Sequence, residues 1–167
     1  MQLLLMRHGE AKPVGVDGIS IDADRVLSDA GKTKVMEAAE GLMECGITRL
    51  DKVYSSPLKR ALETAEIVAE VFNFSGEIIS TQALEPGFDQ KEVIELLKHH
   101  SPDDKILVVA HQPDLGKLAS RFLGGSPDEG MKLKAGDICA LSTPSIPPDE
   151  KAAELDFLVT SKDQFCV

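Results

Sequence analysis

The sequence is short of what would place it in a membrane, in a disulfide framework or on nucleic acid. Its 167 residues include three cysteines, Cys45, Cys139 and Cys166. They are odd in number and far apart, which fits neither a set of paired disulfides nor a zinc site. No apolar run approaches the roughly 20 residues that a membrane-spanning helix requires. The opening Met-Gln-Leu-Leu-Leu-Met-Arg is too short for a secretory leader, has no basic start and meets a charge at once. No membrane partner and a cytoplasmic location are therefore expected. Positive charge is also in deficit, with 18 Lys and Arg against 28 Asp and Glu, a net charge of −10. The acidic residues are spread along the chain, and such a surface repels phosphate-rich polymers, so nucleic acid is not expected as a partner. Carboxylate clusters with metal-ligand spacing are missing too, and neither a metal nor a cofactor is expected. Internal repeats and low-complexity tracts are absent.

What is present suffices for a packed core. Hydrophobic residues make up 43% of a chain whose length suits one domain, expected to span residues 1–167. Cys45 and Cys139 sit among apolar neighbours and read as small core residues. Residues 3–6 form a short continuous apolar run, as expected of a strand covered on both faces. Ser28 then reads as a helix N-cap, with Val35, Ala38, Ala39 and Leu42 on one stripe that ends near Gly46. Residues 52–55 form the next strand. Ser56-Pro57 reads as an N-cap followed by proline at the first helical position, opening a long helix with Ala61, Ala65, Val68 and Phe72 on its apolar face. Further strands are expected at 77–80 and 105–110, and helices at 91–99 and 113–123, the last closed by Gly124-Gly125. Two strand-like stretches, 138–142 and 155–159, flank a linker at 144–149. This alternation predicts an α/β fold. It would be a three-layer α/β/α sandwich with a mostly parallel central sheet and an edge strand or hairpin at the C-terminal end.

Three polar groups stand out by position. Arg7-His8-Gly9 directly follows the first strand, Arg60 lies in the first turn of the helix after the second, and His111 directly follows the strand 105–110. In open α/β sheets ligands bind outside the carboxyl ends of the strands. These groups should therefore meet at one edge, although they are far apart in sequence. Singly, each has an ordinary reading: a common tripeptide, a surface arginine, a hydrogen-bonded strand-end histidine. Together, two histidines and two arginines in an acidic chain repel one another unless an anion joins them. Phosphate suits the planar forks of arginine. The helix after His111 also aims free backbone N–H groups, that of Gln112 among them, at the same edge. The expected phosphate site comprises Arg7, Gly9, Arg60, His111 and Gln112.

Four motifs occur in a recognisable order. They are Met6-Arg7-His8-Gly9, then Leu27-Ser28 with Gly31, then Ser55-Ser56-Pro57 with Arg60, Ala61 and Thr64, and last Val109-Ala110-His111-Gln112-Pro113. From Met1 to about Leu123 the chain resembles the histidine phosphatase (phosphoglycerate mutase-like) superfamily, and within it the SixA-type phosphohistidine phosphatases. The resemblance implies a metal-independent hydrolase without cofactor. His8 would attack phosphorus as a neutral imidazole and carry the phosphoryl group. Arg7 and Arg60 would bind its oxygens and, as like charges, keep His8 unprotonated. His111 would stabilise the transition state. Glu85, in Ala83-Leu84-Glu85-Pro86-Gly87, falls about where larger members place an acidic proton donor. It is a candidate catalytic acid or an ordinary loop carboxylate. Glu10, His99 and His100 are expected to take no part in the chemistry. The SixA-type resemblance implies phosphohistidine in a protein as the substrate, and the span from Leu84 to Lys91, too short for a large lid, supports it. The alternatives are a small phosphate ester, or a phosphate-binding regulatory module without turnover.

Overall fold

The structure is a computed structural model that describes residues 1–126, 129–148, 151–160 and 164–166. Its centre is the apolar stretch after Met1, which forms β1 (Gln2–Arg7). Next in sequence come α1 (Asp29–Glu44), β2 (Lys52–Ser55), α2 (Lys59–Val71), β3 (Ile78–Ser80) and α3 (Gln90–Leu97). They are followed by β4 (Lys105–Ala110), α4 (Asp114–Leu123), β5 (Ile138–Ser142), β6 (Glu154–Val159) and β7 (Gln164–Cys166). The seven strands make one sheet in the order β3-β2-β4-β1-β5-β6-β7. The first four strands pair in parallel, and β5, β6 and β7 add an antiparallel wing. The expected C-terminal hairpin is the pair β5–β6, and β7 lengthens it by a strand that sequence pattern did not indicate. The expected linker 144–149 is described as far as residue 148, and the side chain of Cys166 lies outside the described part.

Alternation along the strands splits the core into two layers. Leu4 and Met6 of β1, with Val53, Leu107 and Val109, face α1 and α2 and meet Val35, Ala38, Ala65 and Val68. Leu3 and Leu5, with Ile106 and Val108, face the opposite way and meet Leu97 of α3 and Leu115, Leu118 and Phe122 of α4. Each large side chain so buried contributes roughly 1.5–3 kcal/mol. Cys139 is buried in the second layer, and burial pushes its thiol up to about 12. Cys45 is half-buried against the first layer. Among the described residues no helix is long and apolar enough to cross a membrane.

Two glycines of the sequence motifs are explained by close approach. The Ser28 hydroxyl caps α1 by accepting from Gly31 N at 3.0 Å. A Cβ on Gly31 would lie 2.1 Å from the Glu10 carbonyl oxygen, and one on Gly9 would lie 2.7 Å from Val35 Cγ2. The chain leaving β1 therefore lies flat on the start of α1 because neither residue has a side chain. One expected cap is not there. α2 begins at Lys59 behind Leu58, with no side-chain cap. Ser56 instead prolongs the strand, its N–H donating to Val109 O at 3.0 Å. That turns its hydroxyl towards the neighbouring strand end.

Candidate active site

Register brings the site together. Arg7 at the end of β1 pairs with Ala110 at the end of β4, and Ser55 of β2 pairs with Val109. The next residues along these neighbouring parallel strands are His8, His111 and Ser56, so all three leave the sheet side by side. The rings of His8 and His111 lie 5.0 Å apart, tilted by 58°. Ser56 Oγ is 2.8 Å from His111 Nε2 and also accepts from the backbone N–H of Leu58, just before α2, at 3.4 Å.

The protonation of His8 follows from its partners. Nδ1 lies 2.7 Å from Gly9 O, which can only accept, so Nδ1 carries the proton. Nε2 accepts from Arg60 Nε at 3.3 Å and therefore presents a lone pair. Burial lowers the His8 pKa to about 4; the Gly9 hydrogen bond opposes the shift, while Arg60, Arg7 and Arg25 add to it. The arginines, expected from the sequence to keep His8 unprotonated, contribute less than desolvation does. His111 is 3% exposed and falls to about 3, first through burial and then through His8 and Arg60. Both imidazoles are therefore neutral at pH 7.

Arg60 is 5% exposed, held by α2 with its guanidinium over His8. Thr64, one turn on, locks this geometry: its hydroxyl donates to Arg60 O at 2.6 Å and accepts from Gly9 N at 3.0 Å. The Gly9 N–H and carbonyl are thus both engaged within the protein, by Thr64 and His8. This corrects the expectation that Gly9 is a phosphate ligand, since a buried N–H already bonded to a hydroxyl is not free for an anion. Arg7 donates from Nη1 to Leu133 O at 2.9 Å, and its Nε is buried without a partner among the described residues. Gln112 uses its side chain to hold its surroundings, donating to Met131 O at 2.8 Å and accepting from Gly116 N at 2.9 Å. The expectation for Gln112 concerned its backbone N–H, at the start of the turn into α4.

The structure also brings in residues that sequence reasoning missed. Asp22, in a 3-10 turn at Asp22–Asp24, meets Arg60 twice: its carbonyl accepts from Nη1 at 2.8 Å and its Oδ2 from Nη2 at 2.9 Å. The Asp22 side chain is 61% exposed. Its partial burial would raise its pKa, but hydrogen bonds from Arg25 and Arg60 bring the net value below the usual carboxylate range. Arg25 is clamped against the chain by Lys12 O at 2.7 Å and Ala11 O at 3.2 Å. No local pattern announces that residue 22 folds back on a helix 38 residues later.

Glu85 is placed differently from the four. It follows a 3-10 turn at Gln82–Leu84 and is half-buried. Among the described residues its side chain forms no hydrogen bond or ion pair with Arg7, His8, Arg60 or His111. Its loop is tied to the start of α4, where Asp114 Oδ2 accepts from Gly87 N at 2.8 Å. Glu10 pairs with Lys34 at 3.5 Å, and His100 bonds Tyr54 at 2.8 Å and Asp104 at 3.3 Å. Among the described residues no three His, Cys, Asp or Glu are grouped as metal ligands.

The profile of the histidine phosphatase superfamily (branch 1) matches residues 3–85, which contain Arg7, His8 and Arg60. An uncharacterized protein of Picosynechococcus sp. is 32% identical over 143 residues, which cover 84% of this chain and 84% of that protein. A 2,3-bisphosphoglycerate-dependent phosphoglycerate mutase of Thermoplasma acidophilum is 36% identical over 83 residues, or 48% of this chain and 38% of the mutase. Among solved structures, the protein histidine phosphatase SixA complexed with tungstate has a TM-score of 0.79 at 23% identity. That match covers 97% of this chain and 98% of SixA, and it is a likeness of fold.

Proposed function

Because this chain belongs to the histidine phosphatase superfamily, we propose that it is a metal-independent phosphatase in which His8 carries the phosphoryl group, and that its substrate is phosphohistidine in a protein. The observation that carries this reading is the state of His8. Its proton is fixed on Nδ1 by Gly9, and the lone pair of Nε2 lies against an arginine. An Nε2–P bond forms as the bond from phosphorus to the leaving group breaks; water then cleaves Nε2–P and releases phosphate. Arg60 and Arg7 bind the phosphoryl oxygens through their guanidinium groups. His111, being neutral, contributes an N–H dipole rather than a charge. Anions such as vanadate should compete for this pocket.

Initial rates on a phosphohistidine peptide and on a panel of small phosphate esters, each with and without excess chelator, test the reading. The peptide is expected to have the higher kcat/KM, unchanged by chelator. A preference for a small ester would move the substrate to the alternative class, and chelator-induced loss restored by Mg²⁺ would remove the metal-free mechanism.

Leaving groups give a sharper test that involves Glu85. An imidazole that carries a ring proton departs neutral, and its conjugate acid has a pKa of about 6.5, so it needs no carboxylic acid beside it. An alkyl phosphate expels an alkoxide, for which a positioned donor typically contributes about 10²–10⁴-fold. Glu85→Gln is therefore expected to slow alkyl phosphate hydrolysis while changing phosphohistidine cleavage much less. Equal losses on the two substrates would mean that Glu85 supports binding or structure, and no loss on either would leave it an ordinary loop carboxylate.

A further inference from the structure

A cavity of about 770 Å³ opens against Arg7 and Gln112, the residues that precede His8 and follow His111. It is larger than a phosphoryl group needs and lies in the range of about 300–1,000 Å³ typical of ligand sites. Lys117 of α4 and the segment 129–133, with Glu129 and Lys132, complete its walls. The segment is fixed to α4 rather than draped over it. Met131 N donates to Gly116 O at 3.0 Å and to Ser120 Oγ at 2.9 Å, Met131 O accepts from Gln112 Nε2, and Leu133 O accepts from Arg7 Nη1. A Cβ on Gly116 would lie 1.9 Å from Met131 O, so this contact exists only because residue 116 is glycine. A wall held in this way is organised before anything binds.

Its charge is unlike the rest of the chain. Arg7, Lys117 and Lys132 border it against one carboxylate, Glu129. Lys117 and Lys132 form no ion pair among the described residues, as is also true of Lys32, Lys52, Lys91, Lys105, Lys134 and Lys151, whereas Lys12, Lys34, Lys59 and Lys98 each hold one. In a chain of net charge −10, free cations beside the phosphoryl pocket attract the anions that the remaining surface repels. We propose that this cavity is a second subsite, continuous with the first through Arg7, which takes acidic residues flanking the phosphorylated side chain of a protein substrate. It rests on the phosphatase reading above and adds to it the sequence context that the substrate carries.

The test uses the full chain and two labelled peptides that carry a non-hydrolysable phosphoryl-triazole in place of phosphohistidine. In one peptide the flanking residues are Glu, and in the other Gln. Fluorescence anisotropy should find the acidic peptide bound several-fold tighter at low salt, a preference that shrinks as salt screens exposed charges. In Lys117→Ala/Lys132→Ala the ratio of the two affinities is expected to fall towards one, and in Lys132→Glu to reverse. Equal affinities in the wild type, or a ratio that survives in both variants, would overturn the subsite. A wild type that prefers the acidic peptide but hydrolyses no phosphohistidine peptide would uphold the subsite and overturn the phosphatase reading.

Discussion

His8→Ala is expected to lower turnover on the order of 10⁴-fold or more, the scale on which enzymes lose activity when a covalent nucleophile is deleted. The fold should survive, because His8 lies beyond the last paired residue of β1 and among the described residues its ring bonds only to Gly9 O and Arg60 Nε. Far-UV circular dichroism and the melting temperature of the variant should match the wild type closely. Brief mixing with ³²P-labelled substrate should then leave acid-labile label on the wild type and none on the variant. Label that persists in His8→Ala would move the nucleophile elsewhere, with His111 the first residue to examine.

Arg60→Ala should have the next largest effect, about 10²–10³-fold in kcat, as when one donor to a developing charge is removed. It should also change the pH profile, in a direction set by His8. Arg60 is a cation that lowers the pKa of His8 and also of His111. Removing it lets both rise, and the opening left by the side chain hydrates His8, which acts the same way. The wild type should keep its nucleophile unprotonated down to about pH 4. In Arg60→Ala the acid limb of kcat/KM should move up towards the ordinary histidine value of about 6.5. A variant that is slower but has an unmoved acid limb would mean that Arg60 binds phosphate without tuning the nucleophile.

The parts of this molecule that were legible in the sequence are those governed by local pattern. The apolar runs of β1 and β4, the stripe of α1 and the cap at Ser28 stand where periodicity puts them. Strand-end position brings His8 and His111 together, because parallel neighbours deliver successive residues to one edge, and Arg60 joins them from the first turn of the helix after β2. What was not legible depends on side chains meeting across long separations. Ser56 looks like a helix cap until the register of β2 on β4 sets it beside His111. Gly9 looks like a phosphate ligand until Thr64, 55 residues away, engages its N–H. β7 has three residues and no alternation long enough to read. Asp22 lies in an irregular stretch, and only the folded chain shows where its carboxylate goes.

For an anion that binds Arg60 as proposed, that carboxylate would be a tethered competitor. A group held on a short loop presents itself at an effective concentration on the order of millimolar, and Asp22 offers Arg60 both a carboxylate and a carbonyl oxygen. The observed affinity of any incoming anion is its intrinsic affinity reduced by the fraction of molecules in which Asp22 has let go. A free carboxylate, carrying one charge and no attachment, gains little from this exchange. A phosphoryl dianion that also reaches Arg7 exchanges one partner for two. If phosphate is taken up at Arg60 as proposed, the exchange with Asp22 would grade anions by charge and reach before chemistry starts.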